Sequence, residues 1–381
     1  MRILHTSDWH LGRIFCGVHL TGEQEYVLEQ LVDVIRDGAI DAVVIAGDVF
    51  DRAVPPVDAV NLLDDMLHRI VFGLKKPVIA IAGNHDSPDR LAFGNRFFWS
   101  QGLYVFGQAG VTDGLVVLND KHGEVAFCAL PYAEAPFVRD ALGDGEITTH
   151  EEAMEALVRR AEARSAEYRR RVAVAHTFVA GGHGSDSERP LSVGGAASVP
   201  PELFGSFGYT ALGHLHRPQR MAGNTVYSGS LMKYSFDEAN HRKSAVIADM
   251  DGEGNVTMET VELTPRRDVR VLRGRLAELI AGAEADPGHS DYVKAVLTDD
   301  GAIFDAMGQL RRAYPNALEI ERENLTAASD VKGVSGDYRK FTDLELFLDF
   351  YEQVMKKPLA ETSLPALRAA LEEARRGGEQ P

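Results

Sequence analysis

The chain has 381 residues, long enough for two or three domains with a sizeable core, and its 45% apolar and 25% charged content is ordinary for a soluble globular protein. Cys16 and Cys128 are the only cysteines and form no CxxC pair, which excludes a disulfide framework and fits a reducing cytoplasm. The net charge of −17 counts mildly against a nucleic-acid substrate, since phosphate binding usually leaves a basic footprint, although bound divalent cations or a partner can supply positive charge where it is needed.

Taken in order, Met1-Arg2-Ile3-Leu4 is too short for a signal peptide, and nowhere is there a run of roughly 18 apolar residues, so no membrane span is expected. Arg2 to Thr6 reads as a strand running into Ser7-Asp8-Trp9-His10. Asp8 and His10 are two apart, so extended backbone points them to one face, and a carboxylate beside an imidazole suits a divalent metal. Thr21-Gly22-Glu23-Gln24 resembles a capping box, followed by Val27, Leu28, Leu31, Val32 and Ile35 at helical spacing. Asp41 to Ala46 is a second apolar strand, ending in Gly47-Asp48-Val49-Phe50-Asp51. A helix over 57–72 leads to a third strand, Pro77 to Ala82, which ends in Gly83-Asn84-His85-Asp86. The opening is therefore β-α-β-α-β, with acidic or imidazole groups after each strand, at the edge where open α/β sheets bind ligands. Each block alone reads equally well as a polar turn before the next element.

A helix from Pro88 carries Leu91, Phe93, Phe97, Phe98 and Trp99, a cluster expected in the core, with a subunit interface as the alternative. Glu124 to Leu130 alternates into Pro131-Tyr132. The charged helix over 151–170 interleaves arginines with Glu155, Glu162 and Glu167 and reads as a solvated face rather than a phosphate track. Arg171 to Ala175 is an apolar strand ending in His176, 181–195 is an irregular Gly- and Ser-rich loop, and Tyr209 to Leu212 is a strand ending in Gly213-His214-Leu215-His216. Strands at 224–229 and 243–250 complete the core. His19, His68, His122, His150, His183, His241 and His289 fall outside the pattern and receive no site role.

Beyond Pro265, strands at 268–273, 291–298 and 317–321 alternate with helical stretches near 276–285 and 302–313, a small α+β unit. After a polar stretch, Ala327 to Lys340, Thr342-Asp343-Leu344-Glu345 resembles a capping box and opens a helix with Leu344, Phe347, Leu348 and Tyr351 on one face; another helix covers 363–376. Internal packing and docking on a partner helix are both open for these stripes.

Asp8, His10, Asp48, Asn84, His85, His176, His214 and His216 thus collect at successive strand ends. Oxygen and nitrogen donors of this kind suit a pair of Mn²⁺, Fe or Zn²⁺ ions that share a carboxylate and hydrolyse a phosphoester. The order D-x-H, G-D-x-x-D, G-N-H-D, H, G-H-x-H resembles the calcineurin-like metallophosphoesterases. The segments 7–12, 47–51, 187–195, 213–219 and 227–238 narrow the resemblance to the SbcD-type nuclease subunits. The resemblance implies an α/β nuclease domain over 1–265, a β-sandwich flanked by helices, then a small α+β DNA-capping domain over 266–330 and a C-terminal helical segment over 331–381. It also implies two Mn²⁺ ions, one held by Asp8, His10, Asp48 and His216 and the other by Asp48, Asn84, His176 and His214. His85 would be the proton donor or transition-state stabiliser, oriented by Asp86. The implied activity is double-strand exonuclease and single-strand or hairpin endonuclease cleavage of DNA, in cytoplasmic repair and recombination. The implied partners are an SbcC-type coiled-coil ATPase, docked by the C-terminal helices, and a second copy of the chain, forming a homodimer within a heterotetramer. Some relatives place another catalytic histidine where this chain has Asp51, so that role is not assigned. Arg13 and Arg52 could contact phosphate or serve as surface ion-pair partners. The rival readings are a phosphodiesterase or phosphatase acting on a small molecule or protein, and an adaptor with a decayed site. Competent residues at every ligand position speak against the adaptor.

Overall fold

The computed structural model describes residues 1–111, 114–188, 198–301, 303–323, 342–355 and 358–377. The chain divides into two compact units, Met1–Val269 and Arg270–Pro381. Residues 189–197 of the Gly- and Ser-rich loop, 324–330 of the expected capping domain and the polar stretch 327–340 lie outside the described residues.

The first unit is built on two six-stranded sheets. One runs Val256–Glu262, Ser244–Met250, Arg2–Thr6, Ala42–Ala46, Val78–Ile81, Leu103–Phe106; its last four strands are parallel and the first two pair antiparallel. The other runs Gln219–Arg220, Thr225–Tyr227, Tyr209–Gly213, Arg171–His176, Gly123–Leu130, Leu115–Asp120, with its four middle strands parallel. The parallel strands read as mostly apolar runs because both of their faces are covered. Ile3, Val44, Ile79 and Ile81 turn inward to meet Phe127, Val172, Val174 and Tyr209 across the sandwich. Leu4, Val43, Ile45 and Val78 turn outward onto the helices Thr21–Asp37 and Val57–Leu67. Cys128, Ala173, Ala175 and Leu212 on the far side of the second sheet pack on the helix His150–Arg164. The result is an α/β sandwich of helix, sheet, sheet and helix. Its parallel strands in the first sheet all deliver their carboxyl ends to one edge.

Several local expectations are corrected. Thr21 to Gln24 forms no capping box: Thr21 Oγ1 donates to Asp58 Oδ2 at 2.9 Å, and Gln24 is buried for another purpose described below. Capping boxes do close the helices that begin at His150, through Thr149 and Glu152, and at Asp343, through Thr342 and Glu345. The 57–72 helix is α-helical only to Leu67 and widens to a π-turn over His68–Gly73. The Pro88 helix breaks into the short turns Pro88–Leu91, Asn95–Phe98 and Trp99–Gln101. Its aromatic cluster is not core: Phe93 is 85% exposed, Phe97 83%, and Phe98 and Trp99 are also exposed.

The second unit carries a three-stranded sheet in the order Val269–Gly274, Tyr292–Leu297, Ala317–Arg322. Helices Leu276–Gly282 and Ala306–Ala313 close its core around Leu276, Val293, Leu297 and Leu310. The helices Asp343–Met355 and Leu364–Gly377 follow, with Phe347 and Phe350 exposed on the first. No helix among the described residues is long and apolar enough to cross a membrane.

Phe127 is fully buried between the two sheets. Phe127→Ala is expected to cost roughly 3–5 kcal/mol, the cost of an aromatic-sized cavity, read as a lowered urea midpoint. An unchanged midpoint would contradict the inter-sheet core.

Candidate metal centre

The loops that leave the first two parallel strands run side by side. Asp8 N–H donates to Gly47 O at 3.0 Å, His10 N–H to Asp48 O at 2.9 Å and Leu11 N–H to Val49 O at 2.9 Å. To make this zipper, Asp8, His10 and Asp48 take positive φ (52°, 45° and 48°), and His214 does so at 107°. Non-glycine residues pay about 1–3 kcal/mol each for such conformations, which persist where the surroundings over-determine them, often at functional sites. The neighbouring chains approach so closely that a Cβ on Gly83 would lie 2.2 Å from Asp48 Oδ1, and one on Gly213 would lie 1.9 Å from Ala46 O. Glycine is the residue that permits both approaches.

Every ligand candidate expected from the sequence converges on this edge. Potential donor atoms of Asp8, His10 and His216 lie within 4.8 Å of one another, and so do those of Asp8, Asp48 and His176. His10 Nε2 is 2.9 Å from His216 Nε2 and 3.7 Å from Asp48 Oδ2. His176 Nε2 is 3.5 Å from the same Asp48 oxygen and 3.0 Å from Asn84 Oδ1, which also lies 3.2 Å from His214 Nδ1. His176 Nδ1 faces Ala46 O at 2.9 Å and so ties one sheet to the other. Asp8 and Asp48 also accept backbone N–H groups, from His214 at 3.0 Å and from His85 at 2.8 Å respectively.

The electrostatics follow from burial. Desolvation, and then the neighbouring Asp48 carboxylate, push the Asp8 carboxyl well above its ordinary range. Desolvation pushes His10 and His214 well below theirs and His176 down to about 4. The imidazoles are therefore neutral lone-pair donors packed around adjacent carboxylates. His10 Nδ1 is buried with no hydrogen-bond partner among the described residues. Clustered neutral nitrogens and paired carboxylates form a donor set that fits divalent cations of borderline hardness.

His85 lies beside this cluster, its ring centroid 4.6 Å from that of His10. Asp86, the neighbour of His85, is buried. Its carboxylate accepts the backbone N–H groups of Val49 (3.1 Å), Phe50 (2.9 Å) and Gly83 (2.9 Å), so it fixes the Asp48 loop. The Asp51 carbonyl oxygen lies 2.8 Å from His85 Nδ1. Burial, with the Asp48 charge, pushes the Asp86 carboxyl up to about 7. Arg13 reaches Asp51 Oδ1 at 2.9 Å and lies over the Tyr234 ring, while Arg52 is exposed.

Other residues that shape the site were given no site role by the sequence pattern. Gln24 accepts the Gly12 N–H at 3.1 Å and donates to Trp9 O at 3.0 Å and His10 O at 2.7 Å, bracing the loop that carries His10. His150, given no role, places Nε2 2.7 Å from Thr177 Oγ1 and Nδ1 2.9 Å from Ala133 O, pinning the turn after His176. Around His216, Glu188 Oε1 accepts the backbone N–H at 2.6 Å, and burial pushes that carboxyl up to about 7. Glu238 is buried beside the His216 ring, paired with the buried Lys243.

Residues 1–218 match the calcineurin-like phosphoesterase family, and residues 265–355 match a family described as type 5 capsule protein repressor C-terminal domain. The chain is 30% identical over 372 residues to the D subunit of the SbcCD nuclease of Staphylococcus epidermidis, covering 97% of this chain and 98% of that protein. Among solved structures, calcineurin-like phosphoesterase YfkN from Bacillus subtilis aligns with 69% of this chain and 90% of its own at 13% identity and a TM-score of 0.37. TT1561 of Thermus thermophilus aligns with 69% of this chain and 99% of its own at 16% identity and a TM-score of 0.41. The family matched over 1–218 accounts for the sandwich and its polar strand ends, and the chain belongs to the calcineurin-like phosphoesterases, in the SbcD branch that supplies the nuclease of SbcCD.

Proposed function

We propose that this chain is the nuclease subunit of an SbcCD-type complex and hydrolyses DNA phosphodiester bonds with a pair of divalent metal ions, Mn²⁺ as the working metal. The observation that supports this most is the convergence of Asp8, His10, Asp48, Asn84, His176, His214 and His216 at one sheet edge, with Asp48 Oδ2 facing histidines of both groups. In this reading Asp8, His10, Asp48 and His216 hold one ion, Asp48, Asn84, His176 and His214 hold the other, and Asp48 bridges. Bound there, the ions would lower the pKa of a water nucleophile and neutralise phosphate oxygens.

The chain's own groups supply the rest. With Nδ1 donating a hydrogen bond to the Asp51 carbonyl, His85 would present Nε2 to the scissile group and, as the imidazolium, protonate the leaving oxygen or stabilise the transition state. Asp86 holds the Asp48 loop through its three backbone bonds and so keeps the bridging carboxylate in place. Arg13, held by Asp51, is the nearby cation for a phosphate oxygen.

The same reading assigns the surfaces. The exposed Phe93, Phe97, Phe98 and Trp99 are the face for a second copy. The helices Asp343–Met355 and Leu364–Gly377 dock on the coiled coil of an SbcC-type ATPase, giving a heterotetramer. The α+β region over 266–330 caps DNA, and the ATPase supplies basic surface to complement this acidic chain. Cleavage runs as an exonuclease on double-stranded ends and as an endonuclease on single strands and hairpins, in the cytoplasm.

Labelled duplex and hairpin DNA incubated with Mn²⁺ should be cut, and Asp48→Ala should abolish cutting. His85→Ala should retain metal content and DNA binding while cleavage falls by roughly 10²–10⁴-fold, the range of a lost acid–base group. Retained cleavage removes His85 from the mechanism, and cleavage of bis-p-nitrophenyl phosphate alone, even with the ATPase present, favours a small substrate. Chelation offers a second check. Mn²⁺ at a hundredfold excess over its Kd should add about 2.7 kcal/mol of stability by linkage, so EDTA should lower the melting temperature of the Mn²⁺-treated wild type and leave Asp48→Ala unmoved.

A further inference from the structure

We infer that Glu238 is a positioning residue for the metal centre, acting through Ser187 to fix the tautomer of His216. The inference rests on the metal-binding reading above and deepens it. Nothing in the chain's spacing connects these residues, which come from 187, 216, 238 and 243, yet they meet in a closed buried cluster.

The hydrogen-bond directions can be worked out from the acceptor end. Lys243 is buried, and its Nζ donates to Glu238 Oε2, to His216 O at 2.8 Å and to Ser230 Oγ at 2.8 Å. An ammonium offers three donors and no acceptor, so Lys243 is fully used. Against that ammonium Glu238 is ionised and only accepts. Its Oε1 takes the hydroxyl of Ser187, while the Ser185 and Ser235 oxygens, 3.3 Å and 3.2 Å away, also face the Glu188 and Asp237 carboxylates.

Ser187 has one proton, and this bond uses it. The Ser187 oxygen, 2.6 Å from His216 Nδ1, is left as an acceptor, and Glu238 Oε1, 3.3 Å from the same nitrogen, is an acceptor too. Nδ1 must therefore carry the imidazole proton. Nε2 is then a bare lone pair, and Nε2 is the atom that points at His10 Nε2, 2.9 Å away. Carboxylates that hold a ligating histidine through its other nitrogen fix ring orientation and raise ligand basicity, and their loss typically costs 10–100-fold in metal affinity. Lys243 also grips the His216 carbonyl and Glu188 its N–H, so the residue is held at ring and backbone alike.

The test uses the full chain and Mn²⁺ alone. Glu238→Ala would strand a buried ammonium and risk unfolding, so the variant is the double substitution Glu238→Leu with Lys243→Met, which removes both charges and leaves apolar groups of similar size. Calorimetric titration of the wild type should give two Mn²⁺ sites. In the double variant one site should weaken by roughly 10–100-fold, with the melting temperature of the metal-free chain little changed. Ser187→Ala keeps the ion pair whole and should weaken the same site, while Ser187→Thr, which keeps the hydroxyl, should restore it. Nitrogen-15 NMR of the metal-free wild type should show His216 protonated on Nδ1. Wild-type Mn²⁺ affinity at both sites in the double variant, or in Ser187→Ala should the double variant fail to fold, overturns the inference, and so does a His216 found protonated on Nε2. A wild type that binds no Mn²⁺ would instead sink the two-metal reading, so the two failures are distinguishable.

Discussion

Asp8 and Asp48 are buried close enough that each charge disfavours the other, and no packing of neutral side chains alone relieves that. Much of the first unit can be understood as the means of holding them there. The loop zipper between 8–11 and 47–49 sets their separation, at the cost of left-handed backbone at three non-glycine residues. Gly83 and Gly213 let two further strand ends come within contact distance of that zipper. Imidazoles from three different strand ends then complete a set of lone pairs around the carboxylates. Divalent cations bound there would convert this repulsive arrangement into an attractive one.

The supports around this centre are layered. Asp86, Gln24 and His150 hold backbone, each by satisfying main-chain groups or a turn hydroxyl beside a ligand-bearing loop. Glu188, Ser187, Glu238 and Lys243 hold one ligand candidate, His216. The strain recorded in φ at Asp8, His10 and Asp48 is tolerable because these supports over-determine the loops.

The polar strand ends were legible in the sequence and the contacts around them were not, for a physical reason. Asp8, His10, Asp48, Asn84, His176, His214 and His216 each follow an apolar strand, and burial on both faces makes those strands stand out as mostly apolar runs. Glu238, Lys243 and Gln24 act across long sequence separations, with no fixed spacing to mark them. Edge strands were harder too: Leu103–Phe106, Leu115–Asp120 and Val256–Glu262 pass unmarked, the last because its side chains alternate at a half-covered face. The aromatic run at 93–99 was read as core from apolarity alone, but apolarity states a need for cover and does not say whether the same chain supplies it. The three backbone bonds of Asp86 are a further contact that no spacing announces.

The central claim is that Asp48 joins two metal ions into one centre. Electron paramagnetic resonance of the chain titrated with Mn²⁺ tests it most directly. A carboxylate-bridged pair should appear as an exchange-coupled signal that grows in as the second equivalent binds, and Asp48→Ala should remove the coupling. An uncoupled six-line spectrum at saturation, or a chain that takes up a single ion, would contradict the account.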